Sequence, residues 1–214
     1  MASPAASHTA APGQLGKILL ILVALVAAYF IYDNAFRYFN WSEDAYGFYW
    51  QYRLPLICHI TGGVIALMSG VWQLWTGLTR SNMKVHPLTG KIYVAGILLG
   101  SAGAIMLSLS TGTFGLTFGV ALFCLAVLWL VTTGTAILCI RRKNVKLHQQ
   151  WMTRSYILTF AFALFRIITD YIPYTDWWGV SREQVSNATI WAVWVIPWIG
   201  YEIFLSLRQM QRPA

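Results

Sequence analysis

Residues 91–140 read KIYVAGILLGSAGAIMLSLSTGTFGLTFGVALFCLAVLWLVTTGTAILCI. After Lys91 no charged side chain appears until Arg141. A helix needs about 20 apolar residues to cross a bilayer, so the stretch holds two spans, about 91–109 and 114–140. Backbone groups in lipid must bond within their own segment, which makes both spans helices. The link Ser110–Thr113 is short enough to force an antiparallel hairpin. Gly96-x-x-x-Gly100, followed by Gly103, and Gly115-x-x-x-Gly119 place small residues four apart. Such spacing lets helix backbones approach closely, and both motifs read as packing.

Four more apolar runs lie outside this pair, at about 18–32, 54–78, 151–172 and 189–207. The expected fold is all-α, a polytopic bundle of six transmembrane helices within residues 17–210. Residues 1–16 are small and polar and read as a disordered tail in which His8 is inert. The run after Lys17 has the basic start of a signal peptide, but no small-x-small cleavage pattern follows Ala27-Ala28. It reads as a retained first helix. Pro55 suits the first turn of the second span, and Pro197 predicts a kink in the sixth.

Composition agrees. The 214 residues are 57% hydrophobic and 10% charged, against about 25% charged in soluble domains. A soluble enzyme is excluded, and no phosphate loop, nucleophile triad or cysteine metal motif appears. The net charge of +8 does not signal nucleic acid, because the cations are divided among short links between spans. Lys17, Arg80, Lys84, Lys91, Arg141, Arg142, Lys143, Lys146, Arg154, Arg208 and Arg212 fall on one side; Asp33, Glu43, Asp44, Asp176 and Glu183 fall on the other. Positive segments stay in the cytoplasm, so both termini are expected inside (N-in/C-in) in a multi-pass protein of a bacterial inner membrane. Cys58, Cys124 and Cys139 lie within apolar runs and read as small packing residues. The sequon Asn187-Ala-Thr189 sits at a helix start near the membrane and is discounted.

The segment 33–53 interleaves rings with charges (Arg37, Tyr38, Trp41, Tyr46, Trp50, Arg53). It reads either as an interfacial aromatic belt, including a short helix lying flat, or as a docking surface for a larger membrane complex.

Ionisable groups inside a membrane are costly and point to function. His86 opens the third span and His148 the fifth, at one depth on the cytoplasmic side. Two imidazoles so placed suit axial ligation of one haem b. Gly90 would admit a flat macrocycle, with Tyr93 behind it, and Arg154, Arg80, Lys84 and Lys91 would face propionates. The competing reading makes both histidines interfacial groups bonded to carbonyls or lipid phosphates. Toward the outer side, His59 and Arg166 share a depth and would frame a quinol headgroup or an anionic substrate. The competing reading there is an Arg166–Asp170 pair, one helical turn apart, beside a core histidine. Gln73 and Glu202 are the remaining candidates for a substrate pocket. Gln73 also reads as a cross-helix hydrogen bond, and Glu202 as a partner for Arg154. No second histidine shares the depth of His59, so a second bis-histidine haem is not expected.

The run His59-x-x-Gly62-Gly63-x-x-Ala66-Leu67-x-x-Gly70-x-Trp72-Gln73, then His86-Pro87-x-x-Gly90-x-x-Tyr93, then His148-x-x-Trp151-Met152-x-Arg154-Ser155-Tyr156 with Arg166 after it, resembles a prokaryotic family of predicted membrane proteins, the domain of unknown function 2306. The resemblance covers roughly residues 55–170, and it implies a membrane protein without implying an activity. Family members often carry arginine after the two histidines, where Pro87 and Gln149 stand here. More loosely, histidines at helix ends facing across a small bundle are similar to b-type cytochromes. Three functions follow as expectations: a small redox protein of b-type cytochrome character, with quinone as membrane partner; a non-catalytic accessory subunit in contact with lipids and a larger complex; and a small transporter, for which no inverted repeat is seen.

Overall fold

The computed structural model describes residues 13–110, 115–172 and 179–211. His8, Asp176, Arg212 and most of the link at 110–113 lie outside the described residues. Among those described there is no strand. The helices are α1 (Gln14–Phe30), the short α2 (Glu43–Tyr46), α3 (Arg53–Thr79), α4 (His86–Leu109), α5 (Leu116–Arg141), α6 (Val145–Tyr171) and α7 (Arg182–Met210). Among the described residues, six helical segments are long and apolar enough to cross a membrane.

Three helices start well before their apolar runs. α4 starts at His86, α6 at Val145 and α7 at Arg182. Each start is set by local chemistry and not by hydropathy. Pro87 sits in the first turn of α4, where its missing N–H costs nothing. The Asn144 side chain accepts from the Leu147 amide at the head of α6. Ser181 and Gln184 form a reciprocal capping box before α7. As a result His86 and His148 both lie in the first turn of a helix. Pro197 lies inside α7 without ending it.

α3, α4, α5 and α6 form a ring in which each helix packs on the next and α6 closes against α3. α1 packs on α3 and α6, and α7 on α6 and α5. The α3–α4 contact is the most extensive, and glycine makes it so. A Cβ on Gly62 would overlap the Gly100 backbone, and one on Gly103 would overlap the Pro55 carbonyl and the His59 backbone. Gly96 likewise faces the Gly62 carbonyl. The first glycine motif is therefore packing, as its spacing implies. In the second, Gly115 meets nothing within 4 Å and has φ +78°. It serves the turn into α5, where a left-handed backbone favours glycine.

The segment 31–52 is helical almost throughout. One wide π turn (31–35) and one tight 3-10 turn (36–40) extend α1, and α2 and a second 3-10 turn lead into α3. Tyr46 is buried under edge-on contacts from Tyr38, Trp41 and Trp50. Arg37 covers Tyr38 and Arg53 covers Trp50. Much of this aromatic segment thus packs on itself.

Candidate functional site

One end of the bundle carries the starts of α4 and α6 and the cations around them; it is called the basic end here. The His86 ring lies beside α3, with Nδ1 2.7 Å from the Thr76 hydroxyl. Thr76 sits 2.9 Å from the Trp72 carbonyl, to which its O–H donates. Its oxygen is left to accept, so His86 Nδ1 carries the proton. The His148 ring lies beside α5, with Nδ1–H donating to the Ala136 carbonyl at 2.9 Å. In the neutral ring both histidines therefore present a bare Nε2, and neither Nε2 has a partner in the described protein. The two rings lie within electrostatic range of each other. A metal-binding imidazole shows this arrangement, its second nitrogen held by a carbonyl or hydroxyl that fixes tautomer and direction.

The rest of the expected haem surroundings is rearranged. Arg154 turns toward α7 and grips Glu202 with two bonds, 2.6 and 2.8 Å. Its guanidinium also lies over Trp151 and Tyr201. Arg154 is thus occupied, and Glu202 is its partner, as one reading of the sequence expects. Gly90 faces the Gln73 amide of α3, at ordinary contact distance from where a Cβ would stand. Gln73 donates to the His86 carbonyl at 2.7 Å and also bonds the Thr89 hydroxyl. Its cross-helix role is therefore the observed one, and it stands apart from His59 and Arg166. Among the described residues no three His, Cys, Asp or Glu gather as a metal cluster, whereas a haem needs only two axial ligands.

Tyr93 lies deeper, fully buried. Its hydroxyl meets Ser155 and Thr159 of α6, both at 2.8 Å. Ser155 continues to Thr133 at 2.7 Å, and the Trp129 ring N–H donates to Thr159 at 2.8 Å. This cluster ties α4, α5 and α6 at the centre of the ring. Gly70 of α3 leaves room for the Tyr93 and Tyr156 rings. Sequence reasoning missed Thr133, Ser155, Thr159 and Trp129 as a group. The one available signal was Ser155 and Thr159, a turn apart on α6.

Beyond the cluster, toward the opposite end, lies a cavity of about 150 Å³. His59 and Arg166 both line it, as their shared depth implied, together with apolar side chains such as Leu125, Phe118 and Phe162, and with Trp129 and Thr159 at its floor. His59 Nδ1 is 3.0 Å from the Gly100 carbonyl, and its ring meets Phe162 edge-on. Arg166 donates through Nε to Asn34 at 3.0 Å and pairs with Asp170 at 2.9 Å. The expected Arg166–Asp170 pair is thus present, and Arg182 approaches the same carboxylate at 3.6 Å. A polar hollow of about 220 Å³ adjoins the cavity, sharing Tyr49, Phe118, Phe165 and Arg166 with it.

Residues 56–205 match the family described as predicted membrane protein, DUF2306. The chain belongs to the DUF2306 family. The match contains all three helix-bound histidines, Arg166 and Glu202 of this DUF2306 protein, whereas Asn34 and Tyr49, which also line the cavity, precede it. No curated protein and no solved structure matches the chain.

Proposed function

We propose that this DUF2306 protein is a small membrane redox protein of b-type cytochrome character. His86 and His148 would hold one haem b at the basic end, which the positive-inside rule puts near the cytoplasmic face of a bacterial inner membrane. One observation carries the reading: two histidines at one end of a four-helix ring, each with Nδ1 tied and Nε2 bare. That donor set fits a haem iron, and the bound group would supply one-electron transfer. The chain's own part is to fix both rings through Thr76 and the Ala136 carbonyl, with the exposed Arg80, Lys84 and Lys91 available to propionates. Arg154 is spent on Glu202 and takes no part. A quinol drawn from the bilayer is the proposed electron partner.

The test is the optical spectrum of detergent-purified protein from cells with ample haem, oxidised and then dithionite-reduced. A Soret band that shifts on reduction, with a low-spin alpha band, is expected, and His86→Ala or His148→Ala should each remove it. A colourless protein, or spectra untouched by both substitutions, overturns the reading. The accessory-subunit alternative has one observation in its favour: Phe36, Phe39 and Phe48 remain exposed on the aromatic segment. Recovery from native membranes as a lone monomer would count against it.

A further inference from the structure

The cavity beside His59 has a size, a polarity and a place in the membrane that together select a ligand. In size, an engineered core cavity of about 150 Å³ takes one benzene. This cavity, also about 150 Å³, admits one substituted six-membered ring and no macrocycle. In place, it is lined mainly by apolar side chains of α3, α5 and α6, so its ligand carries apolar character.

The polarity is the sharper constraint. The Gly100 carbonyl can only accept, so His59 Nδ1 carries the proton in the neutral ring. His59 Nε2 is then an acceptor with no partner in the described protein, on a group that lines the cavity. Arg166 is the opposite, a donor only. Its Nε serves Asn34 and one Nη2–H serves Asp170, which leaves Nη1 without a partner among the described residues. The His59 ring packs on Phe162, and Arg166 follows Phe162 by one turn, about 6 Å along α6. Among the groups that line the cavity, His59 therefore accepts a proton-bearing group and Arg166 donates to an oxygen.

We propose that the cavity binds a quinol ring and discriminates against the oxidised quinone. A quinol gives one O–H to His59 Nε2 and takes a hydrogen bond from Arg166 on its other oxygen. A quinone offers two carbonyl oxygens, and the one beside His59 faces a second acceptor. The inference rests on the redox reading in naming the reduced partner of that protein, while its geometry is independent of the His86–His148 pair.

The experiment uses the full chain as purified, anaerobically, with a decyl-substituted benzoquinol and the matching benzoquinone, and measures both affinities by equilibrium dialysis. The quinol should bind at least about tenfold more tightly, since the site's acceptor is satisfied only by that form. His59→Phe should bring the two affinities within about threefold of each other, and the cavity-filling Leu125→Trp should abolish binding of both. Equal affinities in the unsubstituted protein, or tighter quinone, overturn the proposal whether or not the variants fold. So does nitrogen NMR showing His59 protonated at Nε2. The optical spectrum is read on the same sample. A coloured protein without quinol preference overturns this inference alone, whereas a colourless one with the preference supports it and removes the haem.

Discussion

The hairpins α3–α4 and α5–α6 follow one plan and differ in what closes them. Each has a histidine in the first turn of its second helix, with Nδ1 turned back onto the first helix. Tyr93 and Ser155 each follow their histidine by seven positions, and their hydroxyls meet at the centre of the ring. In α3–α4 the backbones touch through Gly62, Gly96, Gly100 and Gly103. In α5–α6 large side chains hold the helices, including Trp129, Phe118 and Phe165. Backbone contact leaves no room for a ligand within the first hairpin. The cavity opens where the wider second hairpin meets it. Rigidity and space are thus assigned to different halves of one bundle.

The largest expected effect lies in the glycine seam. Gly62→Ala should cost about 3 kcal/mol or more, because the added methyl has only backbone to push against. Gly134→Ala on α5, with nothing within 4 Å, should be neutral or stabilising by about 1 kcal/mol. Thermal unfolding in detergent compares them; equal losses would end the distinction between the hairpins. Next in size is Tyr93→Phe, which removes the hydroxyl shared by Ser155 and Thr159. A loss of about 1 kcal/mol is expected by the same assay. Tyr156→Phe should cost less, since its bond to the Leu67 carbonyl is 3.4 Å long. The smallest effect sharpens the comparison of the two histidines. Thr76→Val should change stability by about 0.5 kcal/mol, but it frees the His86 ring. Nitrogen NMR should then show mixed tautomers at His86 and a single one at His148, whose backbone acceptor no substitution removes. An unchanged His86 would mean that Thr76 does not set its direction.

Sequence carried the arrangement of spans because hydropathy in a bilayer is a one-dimensional signal: every residue of a span meets the same solvent. It also carried depth, which is why His86 was matched with His148 and His59 with Arg166. It erred on azimuth. Arg154 and His148 share a helix end, yet Arg154 turns to Glu202 on α7 while His148 turns to α5. Gly90 faces the Gln73 amide of α3, which its place in the sequence does not show. Two residues of one helix can share a depth and face different neighbours, and only the packed ring says which.

From the amino-acid sequence alone came the membrane class, the number of crossings and the packing role of Gly96 and Gly100. These follow from apolar length and from local steric rules that need no partner. The tertiary structure alone decided which nitrogens remain free, which charges are already paired, and where a ring-sized space is left. Those properties belong to pairs of residues far apart in the chain, such as Tyr93 with Ser155 or Arg166 with Asn34, and they exist only once the helices have chosen their faces.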